Sequence, residues 1–312
     1  MSPDLSHAPM VHVDSFPVEH KTATVDGIKV FYREAGPRDA PVILLLHGFP
    51  SSSRMFATLI PLLSSKYRLI APDFPGFGHS SAPSPKDFSY TFDHLAGCIG
   101  SLLRQLEVSR YTLYVQDYGG PVGFILAGAN PERVSTLVIQ NAVAHLEGLS
   151  EAWAARKAFW LDRTAHEGQI RQALLSAEGA RQRHLAGASR PTVIDPDTWS
   201  DELAFLTRPG MADIQLDLVY DYRTNLAAYP RWQAYLRESR PPTLVVWGKN
   251  DPLFTVAGAM AFGRDVPDAE IHLLNASHFA LDEEVQAIAA LMHRFLGATL
   301  CLQGPSSPGR KA

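Results

Sequence analysis

Short apolar runs rich in β-branched and aromatic residues recur along the chain, separated by stretches with helical spacing. Residues 22–25, a turn at Asp26-Gly27 and residues 28–32 predict an antiparallel entry hairpin. Residues 41–46 are continuously apolar, the pattern of a strand buried on both faces. Further strands are predicted at 67–71, 111–115, 134–139, 243–247 and 270–274, which makes eight. Helical spacing fits 92–106, 121–129 and 283–295. Strands alternating with helices imply an α/β fold, with a mostly parallel sheet covered by helices on both faces.

The pattern changes between 145 and 231. Helical spacing replaces strands, with aromatics at Trp153, Phe159, Trp160, Trp199 and Phe205 and many Arg and Glu. This predicts an inserted helical cap at 145–231, dividing a core into 21–144 and 232–298. Residues 1–20 and 299–312 read as loose tails.

Composition then narrows the classes. With 46% apolar and 19% charged residues, the 312-residue chain can bury a large core. A net charge of -4, mixed in sign along the chain, excludes nucleic acid and an anionic membrane as main partners. The two cysteines, Cys98 and Cys301, have neither metal-ligand nor disulfide spacing, which points to a reducing cytoplasm. Residues 1–19 carry no signal-peptide core, and nothing reaches the roughly 18 apolar residues of a membrane span.

One stretch organises the chemistry. Val115-Gln116-Asp117-Tyr118-Gly119-Gly120 closes a strand and opens a helix. Such an elbow brings backbones close, which suits the glycines, and it lifts the apex residue off the sheet. Here the apex is a carboxylate, Asp117, read as a nucleophile. Asp251, in the turn after the 243–247 strand, and His278, after the 270–274 strand, follow it in the order nucleophile, acid, base. An acid after a strand commonly caps a helix, and a loop histidine is commonly structural. All three at strand ends in this order favour the joint reading. His278 would activate a water, and Asp251 would fix its tautomer. His47-Gly48-Phe49-Pro50 ends another strand, so the N–H groups of Phe49 and Tyr118 would form an oxyanion hole. A carboxylate nucleophile displaces at saturated carbon and forms an alkyl ester, which the activated water then hydrolyses. Suitable substrates carry an epoxide or a carbon–halogen bond.

With these motifs the chain resembles the α/β-hydrolase superfamily, in its epoxide hydrolase and haloalkane dehalogenase branch. The features that carry the resemblance are His-Gly-Phe-Pro at 47–50, the turn Asp73 to Gly78, Gln-Asp-Tyr-Gly-Gly at 116–120, Gly-Lys-Asn-Asp at 248–251 and Ser-His at 277–278. The resemblance implies the α/β-hydrolase fold with a cap, Asp117 as nucleophile, His278 as base and Asp251 as orienting acid. It implies no cofactor and no metal. Some relatives place the acid after the preceding strand, where this chain has Gln140-Asn141, so Asp251 is preferred.

Epoxide hydrolases polarise the ring oxygen with a pair of cap tyrosines. Tyr222 resembles the second, while no Tyr lies between His145 and Val219; Trp160 or Trp153 stands where the first is sought. Dehalogenases hold the halide with N–H donors, commonly a Trp after the nucleophile, where Tyr118 stands here. Haloacid dehalogenases need arginines beside the nucleophile, and Tyr118 and Pro121 are not arginine. Phe49, Phe74 and Phe159 are candidates to line an apolar pocket. The expectation is an epoxide hydrolase for a small apolar substrate, with a haloalkane dehalogenase as the alternative. A ligand-binding protein on a hydrolase scaffold is a third reading. Oligomeric state stays open, a homodimer included.

Overall fold

The computed structural model describes residues 15–303; the predicted tail segments 1–14 and 304–312 lie outside the described residues. In chain order the first elements are β1 (Glu19–Val25), β2 (Ile28–Ala35), β3 (Val42–Leu46), α1 (Leu59–Leu63) and β4 (Arg68–Pro72). Next come α2 (Phe92–Gln105), β5 (Tyr111–Gln116), α3 (Gly119–Ala129) and β6 (Val134–Gln140). Then α4 (Ala154–Leu161), α5 (Arg163–Leu175), α6 (Ala177–Leu185), α7 (Asp197–Leu206) and α8 (Met211–Ser239) follow without a strand. The chain returns through β7 (Thr243–Gly248), α9 (Val256–Asp265), β8 (Glu270–Leu274) and α10 (Ala280–Gln303).

The strands form one sheet in the order β1-β2-β4-β3-β5-β6-β7-β8. Only β2 runs against the others. Its hairpin with β1 turns through Asp26 and Gly27, both at positive φ (50° and 81°), which matches the twist of the paired strands. Every residue of β5, β6 and β7 is buried, which accounts for their largely apolar sequence. Strand β3 feeds two cores in alternation. Leu44 and Leu46 join the layer of α2, α3 and α8, while Ile43 and Leu45 join that of α1 and α10. Each such side chain contributes about 1.5–3 kcal/mol by leaving water.

Several boundaries differ from expectation. Helix α3 starts at Gly119 rather than 121, because the elbow turns directly into the helix there. A Cβ at Gly119 would lie 2.2 Å from the Leu46 carbonyl oxygen, so only glycine permits this crossing. Helix α8 continues beyond 231 to Ser239, through Pro230. Helix α10 starts before 283 and continues beyond 295, with a non-helical Glu284 (φ -128°) at a kink.

Polar contacts join the helical segment to the sheet layer. Asp221 Oδ2 accepts from the Phe92 N–H at 2.9 Å and caps α2. Gln215 Nε2 donates to the Gly76 carbonyl at 3.0 Å, and Arg208 donates to that of Gly78 at 3.0 Å. Both carbonyls belong to the turn that follows β4. No described helix is long and apolar enough to cross a membrane.

Candidate active site

The elbow between β5 and α3 holds Asp117 at φ 47°, a left-handed backbone that aspartate tolerates better than most residues. Its own N–H donates to the Asn141 carbonyl at 3.2 Å. The carboxylate is 5% exposed. The Phe49 N–H donates to Asp117 Oδ1 at 2.7 Å, and the Tyr118 N–H also faces the carboxylate. The 47–50 loop reaches this close because a Cβ on Gly48 would lie 2.4 Å from that of Asp117. The Phe49–Pro50 peptide is cis. Burial raises the Asp117 pKa, while His278, the Phe49 and Tyr118 N–H groups and Arg156 oppose that rise.

His47, beside this loop, makes structural bonds. Its Nε2 accepts from the Phe74 N–H at 3.1 Å and its Nδ1 faces the Gly48 carbonyl at 3.0 Å. These partners fit a neutral ring with its proton on Nδ1, and burial depresses the pKa accordingly.

His278, in the turn after β8, faces Asp117 across 3.8 Å from Nε2 to Oδ2. Its Nδ1 lies 2.7 Å from Asp251 Oδ2. Burial opposes charge on this ring, but Asp251 and then Asp117 outweigh it, so the His278 pKa is raised. Asp251 also accepts from the Leu253 and Phe254 N–H groups at 2.7 and 3.1 Å, which fixes its carboxylate in the turn after β7. Two further residues complete the arrangement. Asn141 donates to Asp251 Oδ2 at 2.8 Å and accepts from the Gly248 N–H at 2.8 Å. The Gln116 amide lies 2.9 Å from His278 Nε2. In the sequence Asn141 stands out only as a non-acid and Gln116 only as part of its motif. Their position at the ends of β6 and β5 was the available signal.

A cavity of about 300 Å³ opens in front of Asp117 and His278. Phe49, Tyr118 and Trp153 line it, together with Arg156, Arg183 and Leu253. Phe74 and Phe159 are fully buried and not among its lining residues. Tyr222 and Trp160 are not among them either. Tyr222 packs directly behind the wall, 5.8 Å from the Tyr118 ring and 4.6 Å from that of Trp153. The hydroxyl is kept protonated by burial, by Tyr229 and by the charge of Asp117. The indole N–H groups considered for a halide are already bonded. Trp160 donates to the Val219 carbonyl at 2.7 Å and Trp153 to that of Leu253 at 3.1 Å. Arg156 and Arg183 enter the cavity from the helical segment, whose many arginines carry no individual signal in the sequence.

A carboxylate on a strand-to-helix elbow, two backbone N–H groups on it and a carboxylate-held histidine opposite define the α/β-hydrolase arrangement. The chain belongs to that family: the description alpha/beta hydrolase fold matches residues 41–285. An uncharacterized hydrolase of Saccharomyces cerevisiae, YNR064C, is 41% identical over 274 residues, covering 86% of this chain and 94% of that protein. A haloalkane dehalogenase of Bradyrhizobium diazoefficiens is 29% identical over 289 residues, covering 87% and 92%. The crystal structure of epoxide hydrolase VrEH1 from Vigna radiata shares the fold, with a TM-score of 0.71 at 24% identity over 90% of this chain and 98% of that one. The protein is an α/β-hydrolase.

Proposed function

We propose that the protein hydrolyses a small molecule through a covalent alkyl ester on Asp117, and that its reaction is epoxide opening to a vicinal diol. One observation carries this reading. Asp117 Oδ1 is bonded by the Phe49 N–H, while Oδ2 stands 3.8 Å from His278 Nε2, whose other nitrogen is held by Asp251. One oxygen is anchored and the other faces the space where a substrate carbon and later a water fit.

In the first step Asp117 Oδ2 attacks a ring carbon, an O–C bond forms and the ring C–O bond breaks. The ring oxygen takes a proton from water in the cavity, because Tyr222 packs behind the Tyr118 and Trp153 rings and does not line it. In the second step His278 removes a proton from water, which attacks the ester carbonyl. The Phe49 and Tyr118 N–H groups stabilise the resulting oxyanion, worth roughly 2.7–4 kcal/mol per donor in comparable sites. The acyl C–O bond then breaks, the departing alkoxide takes the proton of the regenerated Asp117 carboxyl, the diol leaves, and the proton on His278 neutralises the hydroxide left from the first step. Asp117 and His278, the Asp251 partner and the two N–H donors sit in one buried cluster, which a protein that only binds has no need to keep.

Carbon–halogen hydrolysis is the second reading, favoured by the dehalogenase relative. It would need donors other than Trp153 and Trp160, whose N–H groups are bonded to carbonyls. The test is mass spectrometry of His278→Gln after exposure to epoxides and bromoalkanes. An Asp117 peptide heavier by the whole epoxide supports epoxide opening. A gain of the alkyl group less one hydrogen, with bromide released, supports dehalogenation. No adduct from either would sink the alkyl-ester reading.

A further inference from the structure

Two cations face the cavity without an ion-pair partner. Arg156, on α4, makes no ion pair or hydrogen bond with the described residues; its guanidinium rests 5.0 Å over the Trp153 ring. Arg183, on α6, donates only to the carbonyls of Ala173 and Leu174, both long at 3.3 Å, and lies 5.7 Å over the Phe49 ring. Its Nε is buried with no partner. The carboxylate nearest in influence, Glu202, is bonded to His184 at 3.0 Å. Among the described residues Asp117 is the sole carboxylate on the cavity wall, against two guanidiniums. A half-buried charge without a counter-charge is costly, and so is a buried donor without an acceptor.

We propose that Arg156 and Arg183 form an anion subsite in the cavity beside Asp117, which selects a small substrate bearing a carboxylate. The charges then balance: two guanidiniums against Asp117 and the substrate, with His278 paired to Asp251. A planar guanidinium matches a carboxylate with parallel N–H bonds, which an ammonium could not offer. The size agrees, since about 300 Å³ is at the lower end of small-molecule sites. Trp153, Leu174, Val219 and Leu253 cover the apolar remainder of such a ligand. Burial has already lowered the Arg183 pKa to about 10, the direction a bound anion would reverse. The substrate class becomes an epoxy acid, or a halo acid on the second reading. The arginines that the sequence lacks beside the nucleophile arrive from the helical segment instead.

The inference deepens the proposed reaction, so its test separates binding from turnover. Butanoate and butanamide, which cannot react, are titrated calorimetrically into the parent protein, Arg156→Gln and Arg183→Gln. Butanoate is expected to bind at least about tenfold tighter than butanamide in the parent, and each variant to lose about tenfold of that ratio. Thermal melting of each variant checks its folding, and Arg156, half exposed on its helix, is the safer substitution. Equal binding of the two probes, no binding of butanoate, or a ratio unmoved in a folded variant would overturn the subsite. Turnover of 2,3-epoxypropanoate against 2,3-epoxypropanamide reads the second layer. Absence of turnover with both, alongside charge-selective butanoate binding, would remove the epoxide-opening reading and leave the subsite standing.

Discussion

Asn141 donates its side-chain amide to Asp251 Oδ2 at 2.8 Å, onto the same oxygen that His278 Nδ1 approaches at 2.7 Å. A strand-end amide thus orients the acid that orients the histidine. Replacing Asn141 with Ala leaves Asp251 short of a donor. The cost of one such buried bond, about 1–3 kcal/mol, corresponds to roughly a ten- to hundredfold slower ester hydrolysis. Single-turnover kinetics should show the second step slowed more than alkylation of Asp117. An equal slowing of both would argue against an orienting role.

The pH profile follows from His278. Its pKa is raised because Asp251 and Asp117 outweigh the burial that opposes its charge. Ester hydrolysis needs the neutral ring, so activity should fall on the acid side with a midpoint above the ordinary histidine value of roughly 6.5. In Asp251→Asn, the largest raising influence is gone. The acid limb should move to lower pH while the maximum rate drops steeply. A limb that stays in place would detach it from this histidine.

His184 gives a stability prediction of opposite kind. It sits between Asp282 and Glu202 at 2.8 and 3.0 Å, linking α6 to α7 and α10. Burial disfavours its charge, yet Glu202 and Asp282 prevail and raise its pKa to about 9. A raised pKa in the folded state means stability that is complete below the unfolded value near 6.5 and lost as pH climbs through about 9. His184→Gln should cost on the order of 2–3 kcal/mol at neutral pH and flatten the pH dependence of Tm between pH 7 and 9. Melts of parent and variant across that range decide it.

Tyr222 packs behind Tyr118 and Trp153 and does not line the cavity. Phenylalanine there removes only a buried hydroxyl, a cost of about 1–3 kcal/mol in stability. Measured as kcat, turnover of epoxides and bromoalkanes should change alike. A loss confined to epoxides would make the hydroxyl a proton donor to the ring oxygen.

The central strands were legible because they are covered on both faces and are mostly apolar, as in β3, β5 and β7. Asp117, Asp251 and His278 were legible as candidates because a strand end is a fixed place in such a sheet. The cap wall was not. Trp153 and Trp160 look alike in sequence, and only their rotamers decide whether an indole N–H meets a carbonyl or a cavity. Arg156 and Arg183 stand in charged helical stretches whose ordinary meaning is a solvated face. Helix α8 ran on past Pro230 because packing against α2, α3 and α9 outweighs a local helix breaker.

The left-handed turn at Asp117 works as a socket. Its φ of 47° accepts aspartate or asparagine readily and resists β-branched residues, so threonine is shut out on backbone grounds alone. The Phe49 and Tyr118 N–H groups point at the occupant and at whatever oxyanion forms beside it. On the proposed reaction, a different side chain in this socket would meet the same two N–H groups without rebuilding the loop. One backbone angle thus narrows which side chains the site can hold.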